Sequence, residues 1–515
     1  MSTIETVRPH AVDRAAASSA PTTPAPAAIP TAAAEPVAAT ADRPLLPVVG
    51  GDLRVPLLDG STVRFANLDY AATAPALTAV AERVARVLPF SGSVHRGAGL
   101  PSQVSSALYE AARRSVGAAL GARADDLVVF TRNTTDATNL LASAVPGEVV
   151  TLDLEHHANL LPWARAAGHR CVAHAGSIEE TLARLDAELA RRPAALLALT
   201  GASNVTGELL PVQRAAAIAH AHGARLFVDA AQLAPHRAVD LVALGADYLA
   251  LSGHKLYAPY GSGVLVGRRD WLDAAAPYLA GGGAVREVAT PEIPATPGPS
   301  VGPSAGPEPT TTPAATGPAL TTTVEWAPGP ARHEGGTPNL VGAVAIAAAF
   351  EALGALDDDA REAHEETLRR RVLDGLADVE GVQALRIWEG DGEAIGVVAF
   401  AVDGYAPGLV GAYLSAEHGI GVRDGRFCAH PLLNRFGRPE GALRASFGVG
   451  SRAADADRLV EALRRLVDEG PRHAYCETPG GWVPEHDTRD LAAWTGLDLG
   501  LESATPATRS PCGNG

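Results

Sequence analysis

Six short apolar runs between residues 127 and 267 constrain this chain more than any other feature. They are LVVF (127–130), VVTL (149–152), ALLALT (195–200), RLFVDAA (225–231), YLALSG (248–253) and GVLVG (263–267). Each is too short for an ordinary helix and lacks polar alternation, so each reads as a strand buried on both faces. Helical patterns at 182–190 and 213–220 stand between some of them. Strands alternating with helices predict an α/β fold with a mostly parallel sheet covered on both faces.

Beyond residue 340 the pattern changes. It predicts a long helix from about Leu340, a strand at 396–402, a helix near 409–418 and a strand at 443–449. A final helix places Leu459, Val460, Leu463, Leu466 and Val467 on one face. This predicts a smaller α+β domain at 345–470, after a large domain at 85–344. Residues 46–84 form an N-terminal segment expected to pack with the small domain. An Ala/Pro-rich arm at 1–45, an insertion at 291–318 and most of a tail at 471–515 read as disordered. Residues 490–494 of that tail are compatible with a helical turn.

The formal net charge of −16 argues against nucleic acid or an anionic membrane as a partner. No apolar run approaches the ~18 residues of a spanning helix, and proline interrupts any signal-peptide core near the N-terminus. Four cysteines (Cys171, Cys428, Cys476 and Cys512) have neither metal-ligand nor disulfide-framework spacing. A reducing, cytoplasmic location is the natural reading.

Lys255, in LSGHKLYAPYGSG, is the only lysine; every other basic residue counted with it is arginine. Compositional drift explains scarce lysine but not the position of the survivor. Arginine stays protonated, whereas a lysine amine can be tuned into a nucleophile that condenses with a carbonyl.

Ligands of such sheets sit at the carboxyl ends of the strands. Asp229 stands at one such end, with Gln232 three residues on. Lys255 follows another, His156 follows a third, and Thr134 and Thr135 begin a helix after a fourth. Taken singly, either threonine is an ordinary N-cap, Asp229 a loop carboxylate and His156 an interior histidine. Together with the sole lysine they suit pyridoxal 5′-phosphate. That cofactor needs an amine, a carboxylate for its ring nitrogen, a phosphate cup and a flat ring against its face.

The chain resembles the class V aminotransferase family, with the pyridoxal-phosphate-dependent transferase fold of type I. Within it, the chain is most similar to the SUF-type cysteine desulfurase and selenocysteine lyase branch. The matching stretches include NLDYAATAP, SVHRGAG, TRNTTDATNLLA, EHHANLLPW, ASNVTGELLPV, GGTPN, VRDGRFCAHPLL and LRASFGVGS. The resemblance implies that Lys255 forms the Schiff base, Asp229 pairs with the pyridine nitrogen, Gln232 meets the 3′-oxygen and His156 stacks on the ring. Thr134, Thr135, Ser252 and His254 would bind phosphate, helped by Thr337 from a neighbouring subunit, which implies a homodimer with shared sites. Asn204 would lie near cofactor and substrate. Arg444 would hold the substrate carboxylate, with Arg423 a second candidate.

The same resemblance makes Cys428 the nucleophile that accepts sulfur from L-cysteine, releases L-alanine and passes the sulfur to an acceptor protein. Three positions depart from the branch. Arg426 and Phe427 stand where it commonly has two histidines, Arg132 and Asn133 replace Ser-Gly, and Tyr70 replaces asparagine. The alternative is another class V enzyme: an aminotransferase, epimerase or β-lyase acting on a different amino acid.

Overall fold

The computed structural model describes residues 41–165, 168–289, 322–390 and 392–497. All six apolar runs form strands of one seven-stranded sheet. In chain order its strands are Leu127–Thr131 (β1), Val149–Leu152 (β2), His169–Val172 (β3), Leu196–Thr200 (β4), Arg225–Asp229 (β5), Tyr248–Ser252 (β6) and Gly263–Gly267 (β7). Their spatial order is β1-β7-β6-β5-β4-β2-β3. Strands β2 to β6 pair in parallel, and β7 runs antiparallel to β6 and β1. The edge strand β3, HRCV, is missed by the sequence reading because it carries His169 and Arg170 and has no fully buried residue.

Every residue of β4, β6 and β7 is buried, which is why these runs contain no polar alternation. The helix Val212–Ala221 buries Val212, Ala215, Ala216 and Ala219, one stripe at helical spacing. The helix Ile178–Arg191 buries Leu182, Leu185 and Leu189 and starts at Ser177, whose side chain accepts from Glu180 N.

A second sheet contains Val382–Ala384 (β8), Val397–Val402 (β9), Arg423–Gly425 (β10) and Ala442–Ser446 (β11), in the antiparallel order β8-β9-β11-β10. Helices Asp358–Ala377 and Ala453–Glu469 pack on each other, sharing a core of Leu368, Val372, Phe400, Leu459 and Leu463. Burying each such side chain contributes about 1.5–3 kcal/mol. The N-terminal segment is stitched to this sheet. Ala66–Asn67 pairs in parallel with Ile420–Gly421, and Asp69 bridges to Ser446.

Two boundaries need correction. The expected arm ends too late: Ala41 is buried and its carbonyl accepts from Ala453 N at 2.7 Å, while Leu45 N donates to Val449 O. The tail is not mostly disordered either, since Tyr475–Thr478 and Gly481–Pro484 form a hairpin. Its polar composition hid the partners. Glu417 accepts from Arg472 N, His473 N and the Tyr475 hydroxyl, Thr488 Oγ1 donates to Leu58 O, and Trp494 Nε1 donates to Arg54 O. The anticipated helical turn is Leu491–Thr495, capped by Asp490. Residues 1–40 of the arm, the insertion 291–318 and the end of the tail lie outside the described residues. Among the described residues, no single helix is long and apolar enough to cross a membrane.

Candidate active site

The carboxyl ends of β4, β5 and β6 lie side by side, with Thr200 opposite Asp229 and Asp229 opposite Ala250. They open onto a cavity of about 380 Å³ whose lining includes Lys255. Burial pushes the Lys255 amine down to about 8, and the nearby Asp229 opposes that fall. An amine in that range is available as a nucleophile near neutral pH.

Asp229 is buried, and its Oδ1 accepts from Ala231 N at 2.9 Å. Burial raises its carboxyl above the ordinary range, with Ala231 N–H and Lys255 opposing. Gln232 donates from Nε2 to Ala71 O at 2.8 Å, while its buried Oε1 has no partner among the described residues. Leaving such an acceptor unmet costs about 1–3 kcal/mol, so a bound hydroxyl would be favoured here.

His156 leaves β2 and caps the turn His157–Asn159. Its Nδ1 accepts from Ala158 N at 3.0 Å, which puts the ring proton on Nε2. Burial, then the Lys255 charge, lowers its pKa to about 3, so the ring is a neutral, flat wall of the cavity. Behind it a buried chain fixes the turn. Thr200 N and Asn159 Nδ2 both donate to Glu155, and Trp163 Nε1 donates to Asn159 Oδ1.

On another wall the helix Thr134–Ala142 points its N-terminus at the cavity. Its cap is Asn133 rather than either threonine, with Asn133 Oδ1 accepting from Asp136 N. Thr134 N and Oγ1 each lie 2.8 Å from Ser252 Oγ, and exposed Thr135 also lines the space. The helix reaches this position because Gly263 has no side chain. A Cβ there would stand 2.7 Å from Asn133 Cα. His254 Nδ1 meets Thr73 Oγ1 at 2.9 Å, and its pKa falls to about 4 through burial and Lys255. The hydroxyls and helix N-terminus together make an anion cup.

The far wall comes from the second sheet. Buried Arg444 donates to Asn204 O at 2.7 Å and to Asp69 Oδ1 at 3.1 Å. Arg423, directly across the strand pair from Arg444, lines the cavity too. Burial lowers the pKa of Arg444 and raises that of Asp69. A desolvated guanidinium facing a cavity recognises a carboxylate.

Cys428 lines the same cavity at the end of the loop from β10. Phe427 and Cys428 have φ values of +53° and +52°, two consecutive side-chain-bearing residues in the left-handed region. Such backbone costs roughly 1–2 kcal/mol per residue and persists where surrounding bonds impose it. Here Asn204 Nδ2 donates to Phe427 O at 2.9 Å and His157 N donates to Cys428 O at 2.8 Å.

The structure thus gathers Lys255, Asp229, Gln232, His156, Thr134, Thr135, Asn204, Ser252, His254, Arg423, Cys428 and Arg444 around one space. Thr337 is exposed and does not line this chain's cavity. Sequence reasoning missed Asp69, Thr73 and Phe427. The first two stand inside the NLDYAATAP stretch, which is the available signal; Phe427 shows in the sequence only as a departure from the branch.

The family model for aminotransferase class-V matches residues 66–459. The chain belongs to this family. A cysteine desulfurase of Dickeya dadantii is 36% identical over 414 residues, covering 78% of this chain and 92% of that protein. A probable cysteine desulfurase of Mycobacterium leprae is 36% identical, covering 79% and 92%. Among solved structures, cysteine desulfurase CsdA of Escherichia coli superposes with a TM-score of 0.64 at 32% identity, covering 78% of this chain and 95% of that one. A cysteine desulfurase from Thermococcus onnurineus gives 0.66 at 30% identity, covering 78% and 94%. Their shared architecture is the type I fold of pyridoxal-phosphate-dependent transferases.

Proposed function

We propose that this class V member is a cysteine desulfurase that converts L-cysteine to L-alanine and leaves a persulfide on Cys428. The observation that carries the reading is that Lys255, Arg444 and Cys428 line one cavity of about 380 Å³. An amine, a carboxylate-binding group and a thiol are the three functions the reaction needs from the chain. The similarity to desulfurases over most of the chain supports it.

The residues fit pyridoxal 5′-phosphate. Lys255 would hold it covalently and Asp229 would meet its ring nitrogen. Gln232, whose amide oxygen lacks a partner among the described residues, and Asn204 would meet its ring oxygen, and His156 would cover a face. Thr134, Thr135, Ser252 and His254 would take its phosphate, and Thr337 of a second copy would complete the cup in a homodimer. When bound, the cofactor supplies an electrophilic carbon and a ring that withdraws electrons from the amino acid's α-carbon.

Arg444, with Arg423 beside it, orients the substrate carboxylate. Lys255 Nζ, its pKa lowered to about 8 by burial, takes and returns the α-proton. The Cys428 thiolate attacks the substrate sulfur. The carbon–sulfur bond breaks, its electron pair stays with carbon, and carbon gains a proton to give alanine. The sulfur remains on Cys428 as a persulfide, ready for an acceptor protein. Neutral His156 adds no positive charge of its own to that of the arginines in the cavity. Four cysteines without disulfide-framework spacing suit a reducing compartment, and we place the enzyme in the cytoplasm.

Incubating the purified protein with L-cysteine and a reductant, and quantifying alanine and sulfide, tests the reading. Equal amounts of both are expected. A keto acid or D-cysteine as product would assign the chain to another class V activity.

A further inference from the structure

Three contacts close a triangle at the cavity wall. The Arg444 guanidinium carbon lies 5.3 Å from the centre of the Phe427 ring. Arg444 Nη1 donates to the Asn204 carbonyl at 2.7 Å, and Asn204 Nδ2 donates to the Phe427 carbonyl at 2.9 Å. Phe427 and Arg444 are both buried, and Arg444 Nε finds no acceptor among the described residues. The face of the Phe427 ring is therefore a direct neighbour of a desolvated cation, the situation in which cation–π attraction is strongest.

Phe427 is also the first of the two left-handed residues that end in Cys428. A phenylalanine rarely adopts that backbone unaided. Its ring is held by Arg444 and its carbonyl by Asn204, so the pose of the cysteine depends on the group that meets the substrate carboxylate. A second anchor of the loop, His157 N to Cys428 O, comes from the turn that follows β2 and does not involve Arg444.

We infer that Phe427 is a positioning residue: it couples Arg444 to the presentation of the Cys428 thiol through the Arg444–Phe427–Asn204 triangle. The inference rests on the roles proposed above for Arg444 and Cys428. A carboxylate drawn to Arg444 acts on the same guanidinium that seats Phe427, so substrate capture and thiol placement share one element. Phe427 itself transfers no proton and forms no bond with substrate.

The test is a double-mutant cycle on the holoenzyme, read as the rate at which iodoacetamide alkylates Cys428, followed by mass spectrometry of its peptide. Phe427→Leu removes the ring face, and Arg444→Lys keeps charge but removes the planar fork. Each should release the loop and speed alkylation at least fivefold. Phe427→Tyr, which keeps the ring, should stay within twofold of wild type. The double variant should exceed the faster single by less than twofold. Multiplicative effects, or an unchanged or slower rate in Phe427→Leu, would overturn the coupling. If Phe427→Leu loses its cofactor, Phe427→Met keeps the volume and takes its place in the cycle. Alanine release from L-cysteine is measured on the same wild-type sample. A coupled cycle without alanine would sink the desulfurase reading and keep the coupling; alanine with multiplicative effects would do the reverse.

Discussion

Asp69 Oδ1 accepts a hydrogen bond from Arg444 Nη2 at 3.1 Å, joining the N-terminal segment to the strand that carries the cavity's buried guanidinium. Asp69 is about one-quarter exposed, at 27% for its side chain, and Arg444 only 4%. Removing the carboxylate leaves the guanidinium poorly compensated. Asp69→Ala should lower stability by roughly 1–3 kcal/mol, below the range for a fully buried pair because solvent reaches Asp69. It should also raise KM for L-cysteine more than it lowers kcat, because Arg444 loses its aim. Urea unfolding and steady-state kinetics check both. Unchanged KM would show that Asn204 alone orients Arg444.

Lys255 makes a pH prediction. Its pKa is lowered to about 8, with burial the main cause. The neutral, nucleophilic amine therefore grows as pH rises through 8, not through the ~10.4 of a free lysine. In the cofactor-free protein, the rate of pyridoxal 5′-phosphate uptake should climb with a midpoint near 8 and flatten above it. Stopped-flow absorbance reads this directly. A midpoint near 10 would show that the pocket does not desolvate the amine, and Lys255→Arg should show no covalent uptake.

Glu155 makes another. It is completely buried, and burial raises its carboxyl well above the ordinary range despite hydrogen bonds from Asn159 and Thr200. A raised folded-state pKa means that the folded chain holds the proton more tightly than the unfolded chain. Its contribution is then present at low pH and is lost as pH rises above the ordinary carboxylate range. Denaturant unfolding from pH 5 to 8 should show wild type losing stability relative to Glu155→Gln as pH increases. A constant difference would mean that the two donors hold the carboxylate ionised.

These residues also show what the sequence could and could not reveal. The strand ends were legible because buried strands contain unbroken apolar runs, so Asp229, Lys255 and Thr134 stood out where the runs stop. The lone lysine made one of them unmistakable. Asp69 and Phe427 gave no such signal, because their importance is a meeting with Arg444, 375 and 17 positions away in the chain. The edge strand β3 was hidden by half-burial, and the hairpin after residue 470 by polar side chains whose acceptors lie on distant segments. Pairwise tertiary contacts leave no periodicity behind.

That hairpin supports a prediction about stability. Glu417 takes three hydrogen bonds from residues 472–475, and Trp494 donates to Arg54 O. Both attachments grip segments that lead into the site: Glu417 lies in the last turn of the helix Pro407–His418, ahead of Ile420–Gly421, which pairs with Ala66–Asn67 just ahead of Asp69. Truncation after Gly470 should lower the thermal midpoint by several degrees, as roughly 1–2 kcal/mol does in a large domain. Cofactor content should be retained. Calorimetry and the absorbance of the bound cofactor check this, and an unchanged midpoint would make the hairpin a passive appendage.

Cys428→Ser separates the desulfurase reading from its rival. Serine at 428 keeps nearly the same volume, and the bonds that hold the loop are accepted by the backbone carbonyls of Phe427 and Cys428, so the loop should keep its pose. A serine hydroxyl stays protonated at neutral pH and attacks sulfur poorly, so substrate sulfur has no acceptor. Steps that depend on Lys255 and Asp229 do not involve this atom. The variant should therefore bind the cofactor fully and show the absorbance change on adding L-cysteine, yet release less than about one-hundredth of the wild-type alanine, of the order by which loss of a nucleophile exceeds ordinary positioning effects. No persulfide should appear on its 428 peptide. Replacing Cys171, exposed on the edge strand, or Cys476, in the C-terminal hairpin, should leave the rate within twofold, since neither lines the cavity. An aminotransferase or epimerase would behave oppositely, keeping its turnover in Cys428→Ser and making a keto acid or an inverted amino acid. Alanine released by Cys428→Ser at the wild-type rate would return Cys428 to the role of a packed side chain in a strained loop.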